Sequence, residues 1–149
     1  MGYASMRMNH FVGYHKTDEW GPYFEKARQD HAASLDFFTA RRYRAETLIG
    51  SRLWVFTGKE RPRQYEFVCS GIMNGISRAE RPAPHGSSGR AQGTNIAFHV
   101  DYLPEPIDVS SASWFQQLLA EQQNFRHGLS RISDERVVAE LTKLRTEGR

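Results

Sequence analysis

The stretch "RLWVFTGKERPRQYEFVCSGIMNG", residues 52–75, decides the architecture. Two runs dense in β-branched and aromatic residues are split by a short charged loop, and Pro62 in that loop cannot donate to a ladder. The pattern predicts a hairpin, with one strand over "RLWVFTG" and the other over "YEFVCSGIMNG". In the first run Trp54 and Phe56 alternate with Leu53, Val55 and Thr57, so one of the two sets must face a core. Gly71 and Gly75 suit a strand that bends, as small barrels require.

Upstream, "NHFVGYH" (9–15) reads as a first strand. Residues 22–33 read as a helix with Tyr23, Phe24, Ala27 and His31 roughly on one face. Its Pro22 suits the first turn, and Asp18 and Glu19 precede it where the helix dipole favours negative charge. "DFFTA" is a short extended piece, and "RRYRAETLIGS" a turn or helical turn that ends at Gly50.

Downstream, residues 78–94 are rich in glycine, proline and arginine and read as a mobile loop. "NIAFHVDYLPEPIDV" alternates, with Ile96, Phe98, Val100 and Tyr102 on one side and Ala97, His99 and Asp101 on the other. "SSASWFQQLLAEQQNF" reads as a serine-capped helix with an apolar face of Trp114, Phe115, Leu118 and Leu119. "RHGLSRIS" is a turn. In "DERVVAELTKL", the last helix, Ser133 is the expected cap and Val137, Val138, Leu141 and Leu144 the buried stripe. The order gives an α+β fold, a curled sheet or small barrel with helices packed around it. Residues 1–8 read as a flexible leader and 9–149 as one domain.

With 149 residues the chain can bury a core without disulfides or metals. A net charge of +3 permits a polyanionic partner without requiring one. Lys16, Lys26, Lys59 and Lys143 are the only lysines, and all other cations are arginine, which forks onto phosphate and stacks on bases. Codon bias in a high-GC genome would give the same arginine excess. The lone Cys69 cannot form an internal disulfide and argues for a reducing compartment. No apolar run approaches the roughly 20 residues of a membrane span. The expected location is cytoplasmic, with no membrane partner.

Catalytic signatures are missing. The six histidines show no zinc-helix spacing, and the sequence has no Gly-x-Ser-x-Gly elbow, P-loop or dinucleotide fingerprint. His99 and Asp101, on one face of a strand, are the best acid/base candidates, with a plain polar pair at a barrel rim as the other reading. A non-catalytic protein is expected, with no cofactor and no metal.

What remains is rings beside guanidiniums. Sequence-tolerant nucleic-acid binding combines cations on phosphate with faces on which bases stack. An extruded base needs an aromatic pocket with a few polar groups on its edge. Candidate walls are Tyr14, Trp20, Phe37, Phe38, Trp54 and Tyr65, and candidate edge groups are His15, Thr39, Thr57, Ser70 and Asp101. Each ring has core as its rival fate.

Three pieces together resemble the PUA-like superfamily, in its EVE and YTH-like branch. The strand "HFVGYH" runs toward a helix. "FFTARRYRAETLIGSRLWVFTGKERPRQYEFVCSGIM" resembles the family's aromatic-and-arginine segment with its "GSRLW" strand. "IAFHVDYLPEPIDVSSASWFQQLLAEQQNFRHGLSRISDERVVAELTKL" resembles its tail. The family's usual tryptophan is replaced by Phe37 or Phe38, and the asparagine that often follows an arginine there is absent. The resemblance covers roughly residues 9–145. It implies a PUA-like domain that binds nucleic acid, DNA ahead of RNA, and reads a methylated or hydroxymethylated base flipped into an aromatic cage. It further implies the sensor half of a modification-dependent restriction system, with a nuclease partner encoded separately. The expected base pocket is Tyr14, His15, Trp20, Phe37, Phe38, Thr39, Trp54 and Thr57, all but Trp20 carried over by position from the resemblance. The expected contacts to the nucleic-acid backbone are Arg41, Arg42, Arg63, Arg81 and Arg90; the resemblance puts Arg41 at the border of the pocket and Arg90 and its neighbours near phosphate. The alternatives are an RNA-binding module of the same superfamily, a small hydrolase using His99 and Asp101, and a partner-binding subunit.

Overall fold

The computed structural model describes residues 8–16, 34–39, 42–60, 63–82, 90–102, 104–121 and 128–147. In chain order the elements are β1 (His10–Lys16), β2 (Ser34–Thr39), α1 (Ala45–Leu48), β3 (Arg52–Glu60), β4 (Arg63–Pro82), β5 (Arg90–Tyr102), β6 (Ile107–Asp108), α2 (Ser113–Glu121), β7 (Leu129–Arg131) and α3 (Glu135–Glu147). The fold is α+β and dominated by its sheet. The strands run in the order β2-β5-β4-β3-β1-β7, with β6 added to β4. The β1–β3 pair is parallel and the other pairs are antiparallel.

The sheet curls. β2 and β1 stand far apart in the strand order, yet a Cβ on Gly13 would lie 2.9 Å from Phe37 Cζ. Only a glycine lets the two halves approach this closely. The ends of the order, β2 and β7, share no ladder among the described residues. The Tyr43 hydroxyl, just past β2, instead donates to the Leu129 carbonyl of β7 at 2.7 Å. The result is a curled, unclosed sheet.

Both faces of β3 and of the first part of β4 are buried, which explains why these strands read as near-continuous apolar runs. Phe11, Leu35, Phe37, Leu53, Val55, Ile96, Phe98 and Leu129 belong to the cluster inside the curl. Val12, Trp54, Phe56, Tyr65, Phe67 and Tyr102 form the outer cluster with Phe115, Leu118 and Leu119 of α2 and Val137 and Leu141 of α3. The β3 alternation therefore holds, but both of its sets meet a core.

Three irregularities bend β4 and β5. One leaves Val68 extra opposite β3. Another leaves Asp101 extra, because Ser70 pairs with Tyr102 while Gly71 pairs with Val100. A Cβ on Gly71 would stand 2.0 Å from the His99 carbonyl oxygen, so only glycine permits this approach. The extra residue shifts the phase of β5: Ile96 and Phe98 point into the curl, whereas Tyr102 joins the outer cluster. The expected single face for Ile96, Phe98, Val100 and Tyr102 is corrected accordingly.

The segment 78–94 is also corrected. β4 continues to Pro82 and β5 begins at Arg90, so most of the expected loop is ladder, with Arg78 opposite Thr94 and Glu80 opposite Gln92. Cross-strand pairing overrides the local turn signals. Ser133 is not the cap of α3: its hydroxyl bonds Glu121, and Asp134 Oδ1 accepts from the Arg136 N–H at 2.9 Å. The expected helix over 22–33 lies outside the described residues, as do residues 1–7 of the expected leader. Among the described residues no helix is long and apolar enough to cross a membrane.

Candidate functional site

Side chains alternate along a strand, so the members of the inner cluster fix which neighbours share their face. On β1, Phe11 and Gly13 face inward and His15 follows them. On β3, Leu53 and Val55 face inward and Thr57 follows. His15 and Thr57 are register partners. On β2, Phe37 faces inward and Thr39 follows; on β5, Ile96 faces inward and Thr94 precedes it, and Thr39 and Thr94 are register partners. Each strand thus exchanges apolar for polar residues at one end of the curl.

The strands that carry the two pairs approach at one point. The Cβ position of Gly128 lies 3.9 Å from Thr39 Oγ1 and 4.0 Å from the Tyr14 carbonyl oxygen. The end of β2 and the end of β1 therefore meet at Gly128, whose carbonyl accepts from the Tyr14 N–H at 2.6 Å. Thr39, Thr57 and Thr94 are buried, and His15 is half-buried. Along the inner face these polar residues follow the apolar ones, Phe37 among them. Hydroxyls and an imidazole can read donor and acceptor positions on a flat ligand.

Other residues expected in the pocket lie elsewhere. Trp54 is only 1% exposed, faces outward, and donates from Nε1 to His10 Nδ1 at 2.9 Å. It is a core residue with Arg52 packed over its ring at 5.6 Å, and no base can reach it. Tyr14 faces outward too: a Cβ on Gly58 would overlap its ring, which lies 5.9 Å from that of Tyr65. Tyr65 belongs to the outer core. Phe38 is half-buried on the opposite side of β2 from Phe37. Trp20 and Arg41 lie outside the described residues, as do the side chains of Arg81 and Arg90.

Of the remaining backbone candidates, Arg42 is exposed three residues past Thr39, and Arg44 beside it is exposed as well. Arg63 is exposed at the start of β4. Thr94, which the sequence reading did not single out, belongs to the polar layer through its pairing with Thr39. Its only signal was position, one alternation before Ile96.

His99 and Asp101 do not form an acid/base pair. Asp101 accepts two hydrogen bonds from the Arg52 guanidinium, at 2.8 and 2.9 Å, and is 3.3 Å from Arg145. Burial opposes its charge, but the hydrogen bonds and charge of Arg52, with the Arg145 charge, outweigh this and hold its carboxyl below the usual range. A carboxylate so held is a poor general base. Arg52 also donates to Ser70 at 3.0 Å, which places Ser70 in this outer ion cluster rather than in a pocket. Burial, aided by the Arg52 charge, lowers the pKa of His10. Burial pushes the Cys69 thiol well up, so it is no nucleophile. Among the described residues no group of three or more histidine, cysteine or carboxylate side chains could hold a metal. Comparison with protein-family models, with curated proteins and with solved structures finds no match for the chain.

Proposed function

We propose that the chain is a PUA-like, EVE-type module that binds nucleic acid without catalysis and reads a modified base held at the open end of its curled sheet. The observation that supports this most is that His15, Thr39, Thr57 and Thr94 follow apolar inner residues on four strands, with Thr39 and the end of β1 meeting at Gly128 and Arg42 and Arg44 exposed just past β2. In this reading the arginines hold phosphate while one extruded base sits among the hydroxyls. The revised pocket uses Phe37, His15 and the three threonines; Trp54 has no part in it. DNA is favoured over RNA, and a separately encoded nuclease would act on what this module finds.

An added methyl is worth about 0.8 kcal/mol when buried, roughly a fourfold preference by packing alone. The test is fluorescence anisotropy on duplexes that differ only in one methylated or hydroxymethylated base, with a structured RNA as competitor. Tighter binding of the modified duplex, falling steeply with added salt, is the expected result. Equal affinity for modified and plain duplexes would remove the base-reading claim, and a flat salt response would remove the phosphate contacts.

A further inference from the structure

A concavity opens on the outer side of the sheet, at the end where β1 and β3 finish. It is a hollow of about 260 Å³ between the start of β4 and α2, lined by Arg63, Tyr65, Ser110, Gln116, Leu119 and Ala120. Tyr65 pairs with Gly58 and Gly58 pairs with Lys16, so the hollow stands two strand spacings, roughly 10 Å, from the end of β1. β1 links the two faces, because His15 follows Phe11 and Gly13 on the inner side while the neighbouring Tyr14 ring lies against Tyr65.

The hollow has a fixed cation. Arg63 Nε donates to the Tyr65 hydroxyl at 2.9 Å, and the guanidinium lies 5.6 Å from the Tyr65 ring centroid. The tyrosine is itself held: its N–H donates to Ser110 Oγ at 2.8 Å, and its ring packs 5.1 Å from Phe115. A guanidinium oriented by a buried phenol loses little freedom on meeting an anion, and its planar fork matches phosphate oxygens. Gln116 donates to the Ser110 carbonyl, which anchors its amide at the wall. Leu119 and Ala120 add an apolar side suited to the carbon face of a sugar.

We propose that this hollow is a subsite for a phosphodiester and its sugar, on the strand next to the nucleotide whose base occupies the inner mouth. The proposal rests on the nucleic-acid reading above. It adds a definite course for the strand, out of the mouth, over the end of β1 and down onto Arg63.

Arg63→Ala, Arg63→Lys and Thr39→Val, each compared with the unaltered full chain, test it by anisotropy with an oligonucleotide carrying one modified base and by calorimetry with the corresponding free nucleoside. Arg63→Ala should weaken oligonucleotide binding about tenfold, lower the salt slope by about one, and leave nucleoside binding unchanged. Arg63→Lys should restore the slope but only part of the affinity, because a point charge replaces an oriented fork. Thr39→Val should weaken both ligands. If the unaltered chain binds the oligonucleotide and Arg63→Ala changes neither affinity nor slope, the subsite is wrong while the base reader stands. Equal losses for oligonucleotide and nucleoside in Arg63→Ala would also overturn the subsite. If the unaltered chain binds neither ligand, the base reader and the subsite fall together. Arg63 is exposed, and circular dichroism of the variant checks that its fold is kept.

Discussion

On the outer face of the sheet Trp54, Phe56 and Phe67 close on one another and on Phe115 of α2; on the inner face Phe11, Phe37, Ile96 and Phe98 fill the curl, but the next residues along the strands are His15, Thr39, Thr57 and Thr94. These four outer rings pack at centroid distances of 5.4–5.9 Å, and the hollow at Arg63 lies beside them, at the start of β4. The inner layer changes from apolar to polar along four strands at once. A count of aromatic residues does not separate these two faces; the change from apolar residues to hydroxyls along the inner strands does.

The largest effect should come from the outer face. Trp54→Ala removes a fully buried indole together with its hydrogen bond to His10, and should cost about 3–5 kcal/mol of stability in urea denaturation. If the variant kept its stability and lost only its preference for modified DNA, the division between the faces would be broken. Next comes the contact that sets the curl. Gly13→Val would drive a side chain into Phe37 and should cost about 1–3 kcal/mol, read as a lower Tm. A neutral result would mean the two halves of the sheet part easily.

Acid should weaken the outer face in two stages. The pKa of His10 lies below its ordinary 6.5 in the folded chain. The unfolded chain therefore takes up a proton first as pH falls through that value, and stability drops until His10 itself protonates. The pKa of Asp101 lies below its ordinary 3.8, so its contribution is present above that value and is lost as pH falls through it toward the folded value. Tm measured against pH should show both stages, with His10→Gln removing the upper one and Asp101→Asn reducing the lower, to which Asp108, also held below its ordinary 3.8 by hydrogen bonds from Ser110, adds. Retention of both stages in both variants would place the titrating groups elsewhere. The smallest change in stability should belong to the inner mouth. Thr39→Val keeps nearly the same volume and should shift stability by about 1 kcal/mol, while affinity for modified DNA falls by about 1–3 kcal/mol. Unchanged binding would move the site away from β2.

Much of the fold was legible because the elements announce themselves by period. β1, β3 and α3 lie within a residue or three of their sequence-based bounds, since β-branched alternation and a 3.6-residue stripe are local properties. The arm of β4 and β5 was not legible. Arg78–Pro82 and Arg90–Thr94 look like a loop residue by residue, and only their pairing with each other makes them strand. Tyr102 was assigned to the wrong face because a bulge at Asp101 leaves no mark in the sequence. Of the residues expected in a pocket, Phe37, His15, Thr39 and Thr57 share the inner face, whereas Trp54 belongs to the outer core. Alternation gave its set correctly, but nothing local says that helices from the end of the chain will cover that set.

The hydroxyl of Tyr43 on the Leu129 carbonyl stitches the seam where a barrel would have a row of ladder bonds. A seam held by a side chain can part without unravelling either strand, at a local free-energy cost well below that of global unfolding. The curl should therefore give way first along this seam, while the core that fills it stays packed. Amide protons along β2 and β7 should accordingly exchange with solvent well before those of β3, the strand flanked on both sides and covered on both faces.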